Sequence, residues 1–194
     1  MLEFTPQDHE ARRYLLEQGE DGNEHLYVYD AETGECLHRG TDGKRWSVRP
    51  PALPPGSGPR LVLHHNHPSL NPPSAADTVM LLSEPDIRAI WVHAKDRSAF
   101  RITKSEERPS PDVVRYSEGR ARRYFNDAFP NTELFTWAVR HASLLALRHV
   151  GLIGYDYTIA ESLRISMGGA LSRIEADAYM IYSDILTARD GGEM

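Results

Sequence analysis

The chain has almost no cysteine. Cys36 stands alone among 194 residues, which excludes an internal disulfide and suits a reducing compartment. It reads as a half-buried strand residue rather than a nucleophile. No apolar run approaches the roughly 18 residues that a membrane helix needs. The opening Met1-Leu-Glu-Phe-Thr-Pro6 lacks the basic-then-apolar order of a secretory leader. Membrane partners are therefore not expected, and a cytoplasmic location is. An excess of basic charge is missing too. With 22 Lys and Arg against 28 Asp and Glu, the formal net charge is −6. A phosphate-binding surface needs clustered cations that displace counterions. Arg115, Arg120, Arg122 and Arg123 come nearest, but acidic neighbours make them a solvated helix face, and nucleic acid is disfavoured as a partner.

What remains is an ordinary globular composition, 26% charged and 40% hydrophobic. Apolar Ala11, Tyr14 and Leu15 at helical spacing predict a short amphipathic helix over 6–19, ended by Gly19 and the turn Asp21-Gly-Asn-Glu24. From Glu24 the period becomes two. Leu26-Tyr-Val-Tyr-Asp30, Cys36-Leu-His-Arg39 and Trp46-Ser-Val48, separated by turn residues, predict an antiparallel meander. A loop rich in proline and glycine spans Pro50–Pro59.

The apolar run Arg60-Leu-Val-Leu63 predicts a buried strand that leads into His64-His-Asn-His-Pro-Ser69. A helix is expected over Ser74–Leu82, then strands over Ala89–His93 and Ala99–Thr103 around the turn Lys95–Ser98. Beyond a linker, Glu106–Pro111, the pattern is helical. Segments are expected at Glu133–Val150, about Thr158–Ser166 and about Ala170–Ala188, the last with Leu171, Ile174, Ala178, Ile181 and Ile185 on one face.

Chemistry concentrates at the end of the buried strand. Side chains alternate faces along a strand, so His65 and His67 share a side while His64 points the other way. Asp77 follows ten residues later. Two imidazoles and a carboxylate with an open fourth position form the donor set of a catalytic zinc site. Histidines at strand ends are often plain rim residues, however. Ser74-Ala-Ala-Asp77 before an apolar run is also a helix-capping pattern. The two halves together, joined by a short proline-bearing loop, favour the metal site, and a cap would itself hold Asp77 in place. His93, His141 and His149 are expected to be core or rim residues.

His65-Asn-His-Pro68 followed by Ser74-Ala-Ala-Asp77 resembles the HxHP…SxxD signature of the JAMM (JAB/MPN) zinc metalloproteases. The fuller segment, Leu61–Ser69 through Pro73–Asp77, is most similar to the RadC branch, HNHPSG…PSxxD. Two departures stand out: the loop between His67 and Ser74 is one residue shorter, and Leu70 occupies the glycine position. The resemblance covers roughly residues 24–104. It implies an α/β fold with a cytidine-deaminase-like mixed β-sheet flanked by helices in residues 1–105. Residues 106–194, outside the resemblance, are expected to form an all-helical extension for packing, oligomerisation or partner binding.

The resemblance further implies Zn²⁺ as cofactor, held by His65, His67 and Asp77. Ser74 would donate to the developing oxyanion, and a glutamate on an earlier strand would activate water. Glu24, at the start of its strand, is the first choice for that base and Glu35 the reserve. The implied reaction is hydrolysis of a peptide or isopeptide bond in a protein or peptide substrate, a ubiquitin-like modifier among the candidates. Two other classes stay open, a RadC-like protein of DNA metabolism or mobile elements and a non-catalytic scaffold.

Overall fold

A computed structural model describes residues 2–45, 47–48, 50, 58–107, 109–129 and 133–192. Helix α1 (Pro6–Gln18) starts on a capping box. Thr5 Oγ1 accepts from Asp8 N, and Asp8 reaches back to Thr5 N at 2.8 Å. A single 3₁₀ turn, Gly19–Asp21, then leads to strand β1 (His25–Asp30), followed by β2 (Cys36–Thr41). Next come β3 (Leu61–His67), α2 (Ala75–Ser83), β4 (Ile87–Ala94) and β5 (Ala99–Lys104). The second half adds α3 (Pro111–Phe125), α4 (Glu133–His149), β6 (Ile153–Thr158), α5 (Glu161–Met167) and α6 (Ala170–Asp190).

The six strands form one mixed sheet in the order β2-β1-β3-β4-β5-β6. Only β3 and β4 run parallel, linked through α2, and the other neighbours are antiparallel. A parallel pair requires a crossover, and this one sets the carboxyl ends of β3 and β4 side by side.

Strand alternation divides the core in two. Leu26 and Val28 of β1, Leu61 and Leu63 of β3, and Ile90 and Val92 of β4 face the helices that follow β3 in sequence. Tyr27, Tyr29, Val62 and Trp91 face α1, with Ala11 and Leu15. Burying a side chain such as Leu63, Ile90 or Ile102 completely contributes about 1.5–3 kcal/mol each. Helix α4 is buried over most of its surface, with Ala138, Ala142 and Ala146 on one stripe at zero exposure. Small side chains there let α3, α6 and β6 approach it closely. The apolar face of α6 (Ile174, Ala178, Ile181, Ile185) joins the same core.

The structure differs from the sequence reading at three points. Residues 153–158, expected to be part of a helical region, form β6 and pair with β5 at the sheet edge. Ile153, Tyr155 and Tyr157 alternate with Gly154, Asp156 and Thr158, a period of two in a segment of only six residues. No strand forms at Ser47–Val48; Trp46 and most of the proline-rich loop lie outside the described residues. Cys36 is exposed on edge strand β2 rather than half-buried. The mixed sheet flanked by helices, and the three helices α4, α5 and α6 near their expected positions, agree with that reading. Among the described residues, no helix is long and apolar enough to cross a membrane.

Candidate metal centre

His65 and His67 close strand β3, and both side chains are buried on the face that carries Leu61 and Leu63. Their Nε2 atoms lie 3.1 Å apart. Asp77, in the first turn of α2, places Oδ1 3.7 Å from His65 Nε2 and Oδ2 3.9 Å from His67 Nε2. A tetrahedral ion with bonds of about 2.0–2.2 Å has ligand–ligand edges of about 3.3–3.6 Å. The three observed separations bracket that range, so the donor set fits a small divalent ion. The His65–His67–Asp77 cluster is a candidate metal-binding site.

Local chemistry prepares two of the three donors. His67 Nδ1–H donates to the Asn71 carbonyl at 2.8 Å. That bond fixes the tautomer and leaves the Nε2 lone pair facing the cluster. Asp77 Oδ2 accepts from Ser74 N at 2.6 Å and from Ser74 Oγ at 2.7 Å, while Asp77 N donates back to Ser74 Oγ at 3.2 Å. Ser74–Asp77 is therefore a helix cap and a carboxylate mount at once.

Protonation suits a ligand set as well. Burial pulls the His65 and His67 imidazoles down, His67 to about 3, with the His65 charge as its second cause. Burial opposes ionisation of Asp77, but His65, His67 and the Ser74 bonds outweigh it and hold the carboxyl below its usual range. At neutral pH all three donors are free of the proton that competes with a metal.

Glu24 and Ser74 line the same cavity as the cluster, a space of about 470 Å³ that also meets Asn71, Thr136 and Arg140. Register explains Glu24. Leu26 pairs with His65 across the antiparallel β1–β3 ladder, so two residues further out Glu24 lies across from His67 on the same face. Burial, reinforced by the Asp77 charge and opposed by Arg140, pushes its carboxyl up to about 8. Glu35, by contrast, is exposed in the β1–β2 turn and is not among the described residues of the cavity wall.

Two contributors escaped the sequence reading. Arg140 comes from α4, 63 residues beyond Asp77, and its Nη1 donates to the Pro72 carbonyl at 3.3 Å. Nothing local in an amphipathic helix marks such a residue. Asn66, between the two histidines, points to the opposite face and grips the chain on either side of Glu24. Its Oδ1 accepts from His25 N at 2.6 Å and its Nδ2 donates to Asn23 O at 2.9 Å. Gly19 makes room for it, since a Cβ there would lie 2.5 Å from Asn66 Nδ2.

Four other histidines have other work. His64 Nε2–H donates to Asp8 Oδ1 at 3.0 Å, and His64 Nδ1 meets His93 Nε2 at 2.9 Å on the α1 face. His141 Nδ1 meets the Tyr155 hydroxyl at 2.8 Å, and His149 stacks on Tyr179. None reaches the cluster. No family model, no curated protein and no solved structure matches this chain.

Proposed function

We propose that the chain is a zinc-dependent hydrolase of the JAMM type that cleaves a peptide or isopeptide bond. The observation that carries this reading is the convergence of His65, His67 and Asp77 at the wall of a cavity that also holds Glu24. His65, His67 and Asp77 would hold the zinc, which would supply Lewis acidity and lower the pKa of water at the site.

The chain's own groups do the rest. Glu24, whose burial raises its carboxyl pKa in the metal-free site and makes its carboxylate the stronger base, takes a proton in its ionised form from the attacking water and returns it to the leaving amine. Arg140 adds positive charge beside the cavity, where negative charge develops on the carbonyl oxygen. The Ser74 hydroxyl now donates to Asp77. It serves the oxyanion by rotating away, with the Ser74 backbone N–H still holding the carboxylate. The HxHP…SxxD resemblance puts the bond joining a ubiquitin-like modifier to its target, or a bond within a precursor, among the candidate substrates.

The test is cleavage by zinc-loaded protein of three substrates, a modifier fusion, a lysine isopeptide and an unmodified peptide library. The expected outcome is cleavage of at least one, reduced about 100-fold or more in Glu24→Gln at unchanged zinc content. Equal activity in Glu24→Gln, or no cleavage of any substrate by zinc-loaded protein, overturns the reading.

A further inference from the structure

A second cavity, about 580 Å³, lies on the α1 side of the sheet. It opens at the carboxyl ends of β3 and β4, the parallel pair, where open α/β sheets place their ligands. Its wall includes Arg12 of α1, Lys95 and Arg97 of the β4–β5 turn, and His93 of β4. His67 borders both cavities.

Its wall carries more cationic than acidic side chains, Arg12, Arg13, Lys95 and Arg97 against Glu17 and Glu20. Arg12 is half-buried, lies over the Phe4 ring at 5.1 Å and donates from Nη2 to the Arg97 carbonyl at 2.8 Å. Neither Arg12 nor Arg97 forms an ion pair among the described residues. Burial and the Arg97 charge both lower the Arg12 pKa, so the half-buried Arg12 guanidinium is repelled by the exposed Arg97 at the cavity mouth. Charges removed from water are ordinarily paired. The acidic residues of the wall, Glu17 and Glu20, come five and eight positions after Arg12, about 7 Å or more along the helix.

Backbone strain points to the same place. Arg97 adopts φ +75°, a left-handed conformation. It closes a tight hairpin turn in which Arg97 N donates to Ala94 O at 2.9 Å and Ala94 N to Ser98 O at 2.9 Å. Glycine is the favoured residue there, and a non-glycine side chain is held against a conformational cost. Turn geometry gives no reason for an arginine at that position. His93 adds a buried Nδ1 without a partner among the described residues.

We infer that this cavity binds an oxyanion, a carboxylate or a phosphate group, between Arg12 and Arg97 with Lys95 at the rim. The site depends on neither zinc nor hydrolysis, and its failure leaves the metal centre untouched.

The experiment is calorimetric titration of the metal-free protein with inorganic phosphate and, separately, acetate at constant ionic strength. Arg97→Gly, Arg12→Gln and the control Arg164→Gln, whose side chain pairs with Glu161 on α5, are run beside the wild type. Arg97→Gly removes a cation while relieving strain, so its melting temperature should equal or exceed that of the wild type. The expected result is saturable binding of at least one anion, weakened about tenfold or more in Arg97→Gly and Arg12→Gln and unchanged in Arg164→Gln. Preference for phosphate identifies a phosphoryl ligand, and preference for acetate a carboxylate. No saturable binding of either anion, or equal affinity in Arg97→Gly, overturns the inference.

Discussion

Glu24→Gln in the metal-free protein should reverse the usual penalty of changing a buried site residue. The Glu24 carboxyl is pushed from 4.5 to about 8 by burial and the Asp77 charge, against Arg140. Between those values the folded chain keeps a proton that the unfolded chain has released. Stability therefore falls as pH rises across that window. At pH 7, about 2.5 pH units above the unfolded value, the penalty is about 3–3.5 kcal/mol, and partial contact with the cavity reduces it to about 2–3 kcal/mol. Glutamine copies the protonated shape and carries no such penalty.

The assay is urea unfolding of both proteins with chelator present, at pH 5 and pH 8. The buried histidines, whose low pKa values make stability rise with pH in the acid range, contribute equally to both and cancel in the difference. The glutamine variant should gain on the wild type from pH 5 to pH 8 by about 2–3 kcal/mol. A difference that does not change with pH, or that favours the wild type more strongly at pH 8, refutes the placement of Glu24 in a desolvated site beside Asp77.

Three further outcomes follow from the same geometry. Ser74→Ala removes the α2 cap and one of the two bonds to Asp77 Oδ2. It should lower stability by about 1 kcal/mol and weaken zinc binding by about 10-fold or more, measured by chelator competition. Asp8→Asn should lower stability by about 2–4 kcal/mol in urea unfolding, because Asp8 accepts from His64, Tyr29 and Thr5 in the buried α1 interface. Burial opposes ionisation of Asp8, yet those bonds hold its carboxyl far below 3.8. Its stabilising share is thus complete above that value and is lost as pH falls below it. The acid limb of the wild-type stability curve should flatten in Asp8→Asn.

The His65–His67–Asp77 cluster was legible because its geometry is local. Two histidines at i and i+2 on a strand must share a face, and a Ser-x-x-Asp cap fixes the carboxylate at a known place on the next helix. Glu24 was legible through its position at the head of a period-two run, although the register that sets it across from His67 is a pairing between distant segments. Arg140 and β6 were not legible, for related reasons. Arg140 reaches the cavity only because α4 packs onto the sheet. The β6 strand is short, contains Gly154, a weak strand former, and gains its identity from the β5 edge it completes. Asn66 carries no signal of its own in sequence; strand alternation sends it to the far face, where its value lies in bonds to Asn23 and His25.

Metal analysis of the purified wild type beside His65→Ala/His67→Ala tests the central claim most directly. The expected result is about one zinc per chain in the wild type and none in the double variant, with both proteins folded. A wild type that takes up no zinc on reconstitution, or a double variant that binds it as well, contradicts the claim, and Ser74–Asp77 is then a helix cap alone.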